Sequence, residues 1–252
     1  MFDQVTLAAV NGLTAVERVG DTLRRATGPW TPAVHALLRH LEAVGFDEAP
    51  RVLGIDEQGR EILTFVEGEE ATWSDDELLA IGRLVRRYHD AVASFSPPPD
   101  AQWQRLVGAP REEEVVCHND LSPWNTVYLG GTPIALIDWD LAAPGPRLWD
   151  LAWAVYRYVP LFDDDSCRRL GIPLQPRAPR VRLFCDAYGL DDREPLFDAV
   201  CLRIEAQVET AREWGEAGRP GWRDVWRDTG GGQWLAGRDY VAAHADEWTR
   251  AL

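Results

Sequence analysis

Residues 115–140 read VVCHNDLSPWNTVYLGGTPIALIDWD, and no other stretch limits the possible folds as tightly. Glu114 to Cys117 is a short apolar run that reads as a strand ending at His118. The segment Asn119 to Trp124 is turn-like, because Pro123 cannot donate to a sheet ladder. Thr126 to Leu129 and Pro133 to Asp138 then read as two strands joined at Gly130-Gly131. A two-residue turn at that point would set Asn125 opposite Leu136, with Asp138 two positions further along on the same face. Diagonal neighbours of this kind lie about 7–8 Å apart, close enough to share one cation. A slip of one residue would separate them, because side chains alternate between faces.

The stretch thus offers a carboxylate in a loop (Asp120), an amide (Asn125) and a second carboxylate (Asp138). Oxygen ligands of this sort suit Mg2+, which takes a few protein oxygens and completes its shell with phosphate and water. Asp120 is then left to orient a hydroxyl and accept its proton. Phosphoryl transfer needs that division of labour.

Around this stretch the pattern is α+β. VERV and TLRR flank Gly20-Asp21, and RVLGID and EILTFV flank Glu57 to Arg60, predicting two hairpins. Between them AVHALLRHLEAVGF has apolar residues at helical spacing, with Thr31 as its expected cap and Pro32 at its first position. Ser74 and Glu77 predict a capping box at the head of a longer helix. Helical patterns dominate from there to the C-terminus. The expected organisation is a strand-rich N-terminal lobe over residues 1–66 and a larger, mainly helical lobe over residues 67–252.

Composition narrows the partners. The net charge of −15 argues against nucleic acid or an anionic membrane and suits a cationic small molecule, or plain solubility. No run approaches the roughly 20 apolar residues of a membrane helix. The N-terminus lacks a basic start followed by an apolar stretch, so a cytoplasmic protein is expected. Four scattered cysteines give neither a zinc pattern nor a disulfide framework and read as reduced thiols. All 26 basic residues are arginine.

His118-Asn119-Asp120, Asn125 and then Ile137-Asp138-Trp139-Asp140 resemble the motifs of the aminoglycoside phosphotransferase family, small-molecule kinases with a protein-kinase-like two-lobed fold. The likeness extends to Trp149-Asp150-Leu151-Ala152 and is strongest from Val115 to Val155. It implies Asp120 as catalytic base, and Asn125 and Asp138 as ligands of Mg2+ on the phosphates of ATP or GTP. It further implies that His118 is a structural member of the loop and that Asp150 steadies that loop from behind. The acceptor would be a small-molecule alcohol, such as an aminoglycoside, or a metabolite of choline, sugar-amine or homoserine type.

The chain departs from the family on the nucleotide side. A lysine on the third strand, paired with a helix glutamate, usually holds the phosphates. Arg24 aligns with that position and Arg25 is the runner-up; arginine can bind phosphate bidentately. Near His35 there is no glutamate, so no ion pair can be named. The glycine-rich loop is reduced to Asn11-Gly12. These gaps keep a catalytically weak nucleotide-binding protein as an alternative. A metal-dependent hydrolase is disfavoured, since no second histidine lies near His118. On the acceptor side, Asp163 to Asp165 and the stripe Glu205, Glu209, Glu213 are candidate cation attractors, and Trp124 is the tryptophan expected to border the site.

Overall fold

The computed structural model describes residues 4–7 and 16–252. Asn11-Gly12 lies outside the described residues. The N-terminal part holds strands β1 (Gln4–Leu7), β2 (Val16–Val19) and β3 (Thr22–Ala26), helix α1 (Thr31–Ala43), and strands β4 (Val52–Ile55) and β5 (Arg60–Thr64). Its sheet runs β1-β2-β3-β5-β4, with every pairing antiparallel. Both predicted hairpins form. Gly20 takes φ 61° between Val19 and Thr22, a left-handed value that glycine adopts without a Cβ penalty. The Asp56 carboxylate accepts the backbone N–H groups of Gln58 and Arg60 across the second turn.

The helix start differs from expectation by one residue. Trp30 is the cap, and Thr31 already belongs to α1. The Thr31 hydroxyl instead accepts the N–H of Gly28 at 2.9 Å, stabilising the entry loop rather than the helix end. One face of α1 buries Val34, Leu37, Leu38 and Leu41. Each fully buried side chain of this kind contributes about 1.5–3 kcal/mol.

Residues 65–73 join this part to the rest, and an isolated bridge between Glu69 and Tyr128 fastens the junction to a later hairpin. Gly68 makes that approach possible: a Cβ there would lie 2.4 Å from the Tyr128 carbonyl oxygen. Helix α2 (Asp75–Val92) follows, with the predicted capping box of Ser74 and Glu77. Then come β6 (Val115–Cys117), β7 (Thr126–Leu129), β8 (Thr132–Leu136) and β9 (Ala143–Gly145). The C-terminal helices are α3 (Arg147–Tyr158), α4 (Asp164–Arg169), α5 (Arg177–Tyr188), α6 (Leu196–Glu216), α7 (Trp222–Thr229) and α8 (Gly232–Ala251). β6 pairs with β9 and β7 with β8, so the quoted stretch forms two small ribbons set among helices. The core beneath them packs Leu84, Val85 and Tyr88 of α2 with Leu121, Trp139 and Val155. The Tyr88 hydroxyl donates to the carbonyl of Val116 at 2.6 Å, tying α2 to the strand that ends at the loop. The result is a strand-rich N-terminal region and a helical C-terminal part, as expected. No described helix is long and apolar enough to cross a membrane.

Candidate active site

Two residues leave the ordinary backbone regions at the turns that matter. Asn119 has φ 64° and Asp138 φ 61°, values uncommon for residues other than glycine. Asp150, in the first turn of α3 and fully buried, holds the first bend. Its Oδ2 accepts the N–H of His118 at 2.9 Å, and its Oδ1 accepts that of Asn119 at 2.8 Å. His89 Nε2 lies 3.1 Å from Oδ2, and His89 Nδ1 lies 2.9 Å from the Tyr188 hydroxyl. Burial alone would raise the pKa of Asp150; the hydrogen bonds it accepts from His89 and from the His118 backbone outweigh it and hold the carboxyl below its usual range.

His118 is also fully buried, and burial lowers its pKa despite nearby carboxylates. Its Nε2 donates to the Ile137 carbonyl at 3.0 Å, and its Nδ1 accepts the N–H of Asp120 at 3.3 Å. A neutral ring with its proton on Nε2 satisfies both contacts. His118 therefore bridges the loop and the Asp138 turn.

Both oxygens of Asp120 are held. Oδ1 accepts from Trp153 Nε1 at 3.1 Å, and Oδ2 accepts from Asn125 Nδ2 at 2.7 Å. Burial, and then repulsion from Asp138, raise the Asp120 pKa, making it a better proton acceptor than an exposed aspartate. Asn125 Nδ2 also donates to the Asp120 carbonyl at 2.9 Å, so the amide hydrogens are spent and its Oδ1 is left to accept.

The β7–β8 hairpin register differs from expectation. Tyr128 pairs with Pro133, but Val127 pairs with Ala135 and Thr126 with Leu136, so Ile134 is an extra residue in a bulge. Asn125 consequently bonds Ile137, whose N–H reaches its carbonyl at 2.9 Å, rather than standing opposite Leu136. Simple alternation would now send Asn125 and Asp138 to different faces. The positive φ at Asp138 breaks the alternation, and Asp120 and Asp138 line one cleft of about 750 Å³. Asp138 keeps a half-exposed side chain, and only its Oδ1 has a hydrogen-bond partner among the described residues. Asp138 Oδ2 and Asn125 Oδ1 are thus left without a protein donor among the described residues, and both are oxygens of the hard type that a divalent cation takes. No cluster of three or more histidine, cysteine or acidic side chains suited to a metal occurs among the described residues.

Arg24 does not enter this cleft. It shares a face of the sheet with its cross-strand neighbours Glu17 and Ile62, bonds the Thr22 hydroxyl at 3.2 Å and lies 3.8 Å from Asp56. Arg25, one position on, points the other way and is buried. Its Nε donates to Glu61 Oε1 at 2.5 Å, its Nη1 to Asp138 at 2.9 Å and its Nη2 to Asp140 at 2.9 Å. Burial would depress the Arg25 pKa, but Asp140, Asp138 and Glu61 together hold it above its ordinary value. Glu61, the cross-strand partner of Arg25, binds His35 Nε2 through its other oxygen at 2.7 Å. The carboxylate partner sits on β5 and the α1 residue is a histidine. Asp140 also accepts from Trp30 Nε1 at 3.1 Å, and burial, against the pull of Arg25, pushes its pKa up to about 6.

Several residues at the site had no motif to announce them. Arg203 of α6, fully buried, donates to the Asn119 carbonyl at 2.6 Å and lies 4.2 Å over the Trp153 ring; burial lowers its pKa to about 10. Trp153 had a signal: it follows Asp150 by three positions, one turn along the same helical face. Trp124 stacks under Arg157 at 4.2 Å and is not among the cleft residues. Nor are the acidic candidates: Asp163 caps α4, Asp164 pairs with Arg177, Glu205 with Arg238 and Glu209 with Arg212.

The profile described as the phosphotransferase enzyme family matches residues 6–184. The chain belongs to that family. A curated relative, the trifolitoxin immunity protein of Rhizobium leguminosarum bv. trifolii, is 38% identical over 251 residues, covering 93% of this chain and 95% of that protein. Among solved structures, an aminoglycoside phosphotransferase from Streptomyces rimosus in complex with ADP and streptomycin is 17% identical, with TM-score 0.56 over 81% of this chain and 91% of that one. A choline/ethanolamine kinase family protein from Mesorhizobium loti is 16% identical, with TM-score 0.54 over 98% and 87%. At these identities the structures establish the shared fold. The phosphotransferase carries its family's chemistry, transfer of phosphate to a hydroxyl acceptor.

Proposed function

We propose that this phosphotransferase moves the γ-phosphate of ATP or GTP to a hydroxyl of a small molecule, with Asp120 as the proton acceptor. The observation carrying this reading is the pinning of both Asp120 oxygens, by Trp153 and Asn125, in the cleft that Asp138 also lines. A carboxylate fixed in that way meets the acceptor hydroxyl in one orientation, and its raised pKa strengthens it as a base. Asn125 and Asp138 would hold Mg2+, which when bound neutralises charge on the phosphate oxygens. His118 and Asp150 fix the loop, and Arg25 takes the lysine's part in place of Arg24. Residues 1–66 would serve the nucleotide, and residues 67–252 the chemistry and the acceptor. The relative named for toxin immunity supports a protective role, in which phosphorylation disables a harmful small molecule. The acidic chain charge supports neither a nucleic acid nor a membrane as partner.

A second reading, a nucleotide-binding protein of little turnover, is favoured by one observation: Arg25 already neutralises Asp138 and Asp140. Calorimetric titration with Mg-ATP and Mg-GTP, alongside phosphorus NMR of acceptor mixtures, separates the two. The kinase reading expects Mg-dependent binding that weakens in Asp138→Asn, and phosphate transfer that disappears in Asp120→Asn. Binding without transfer to any alcohol supports the second reading instead.

A further inference from the structure

Arg203 of α6 carries a charge with no acid to meet it. Its side chain is fully buried, and burial brings its pKa down only to about 10, so it stays protonated at neutral pH. Among the described residues no carboxylate lies in ion-pair range; Asp120 and Asp150 act on it from further away. Desolvating a guanidinium without an ion pair is expensive, and an apolar side chain of similar volume would fill the space without that cost. What the charged fork does there is read from what it touches.

Nη2 donates to the Asn119 carbonyl at 2.6 Å. Asn119 precedes Asp120 and has a positive φ. The other end of the same peptide unit, the Asp120 N–H, is held by His118 Nδ1 at 3.3 Å. A peptide unit is planar, so two holds fix its orientation and with it the direction in which Asp120 leaves the chain. The guanidinium also lies 4.2 Å over the ring of Trp153, whose Nε1 donates to Asp120 Oδ1 at 3.1 Å. Nη1 donates to Gln207 Oε1 at 3.1 Å, one turn along α6, which sets the plane of the fork. One rigid plane therefore bears on Asp120 twice, through its backbone and through the ring that holds its carboxylate. A lysine ammonium has no plane and could not serve both contacts. We infer that Arg203 is a positioning residue, which aims Asp120 at the acceptor hydroxyl by holding the Asn119 carbonyl and the Trp153 ring together. This rests on the kinase reading of Asp120 and extends it to α6. Trp214 of the same helix lines the cleft, so one helix carries both a wall of the cleft and the anchor of the base.

Arg203→Lys keeps the charge and loses the fork. Hydrogen exchange of the full chain, read by NMR with the Trp153 indole assigned through Trp153→Phe, should accelerate about tenfold or more at that indole N–H and at the Asp120 amide. That is the worth of one hydrogen bond to a charged group. Amides of β3 and β5 should exchange as in the wild type. ADP release from Mg-ATP with the acceptor mixtures should show kcat lowered about 10–100-fold and the KM for Mg-ATP unchanged. Gln207→Met loosens the fork without removing it. It serves should Arg203→Lys fail to fold, with the same changes expected in smaller measure. Unchanged exchange at both sites, wild-type turnover in Arg203→Lys, or a loss carried by KM overturns the inference. Acceleration spread evenly over the chain does so too, since it marks a side chain that only fills the core. Local acceleration in a protein whose Asp120→Asn variant still transfers phosphate, or whose wild type transfers none, leaves the hold on Asp120 standing and counts against the kinase reading. An inactive Asp120→Asn beside unchanged local exchange does the reverse.

Discussion

Replacing Arg25 with methionine keeps an unbranched apolar stem and removes the guanidinium charge from a place where three carboxylates converge. Glu61, with a side chain 2% exposed, then loses its strongest partner and retains only His35. Breaking a buried pair by deleting one partner costs about 3–5 kcal/mol, because the remaining charge stays desolvated. Asp138 is half exposed and can be hydrated, and Asp140 can take up a proton, so neither adds much. The retained His35 contact puts the expected loss at the lower end, about 3 kcal/mol. For a chain of this size that is a fall of roughly 6–12 °C in Tm. Thermal and urea unfolding followed by circular dichroism read it directly. The reasoning also fixes a double-mutant result: Glu61→Gln in the Arg25→Met background should restore part of the loss, since the stranded carboxylate is gone. A single-variant loss under about 1 kcal/mol, or strictly additive losses in the double variant, would refute this account of the Arg25 cluster.

Asp120→Asn should lower turnover by about 10²–10⁴-fold with nucleotide affinity nearly unchanged, as read by ADP release and calorimetry. Asp138→Asn should remove the Mg2+ dependence of nucleotide binding; a variant that still requires Mg2+ would place the cation elsewhere. Asp150 has a folded pKa below its unfolded one, so its stabilising effect is complete above the usual carboxylate range and is lost as pH falls through the folded value. Acid unfolding curves of Asp150→Asn should accordingly be flatter than wild type below about pH 4, and less stable at neutral pH. Gly68→Ala drives a Cβ onto the Tyr128 carbonyl and should cost about 1–3 kcal/mol, with hydrogen exchange at Glu69 and Tyr128 accelerated.

Local chemistry was legible wherever one residue dictates its own neighbourhood. Gly20-Asp21 and the Ser74–Glu77 box mark the ends they were expected to mark, and the turn expected over Glu57 to Arg60 forms with Arg60 already in β5. The loop motif was legible too, because His118, Asp120, Asn125 and Asp138 are close in sequence. What escaped was parity. Arg24 and Arg25 are adjacent, so a shift of one residue chooses the face, and only Glu61 across the strand decides it. Ile134 shifts the β7–β8 register by the same single step, and no local signal announces that bulge. Arg203 and His89 escaped for another reason. Arg203 reaches the loop from 84 positions away and His89 reaches Asp150 from 61, where packing of helices, not sequence spacing, sets the contact.

The absence of lysine ties these observations together. A lysine ammonium is a point charge on a flexible stem, and a helix glutamate is enough to aim it. A guanidinium is a planar fork, and here it spans two carboxylates while its Nε makes a third contact along the strand. A partner for Nε must lie near the backbone of Arg25, and a cross-strand residue on β5 does, whereas a helix residue facing the tip does not. Glu61 meets that requirement, which leaves the α1 position to hold Glu61 rather than Arg25, a task that His35 performs through one nitrogen. With Arg25 in the lysine's proposed role, the strand glutamate and helix histidine around it follow from the geometry of an arginine on β3. The one acidic residue of α1, Glu42, accordingly lies away from this cluster and pairs with Arg51.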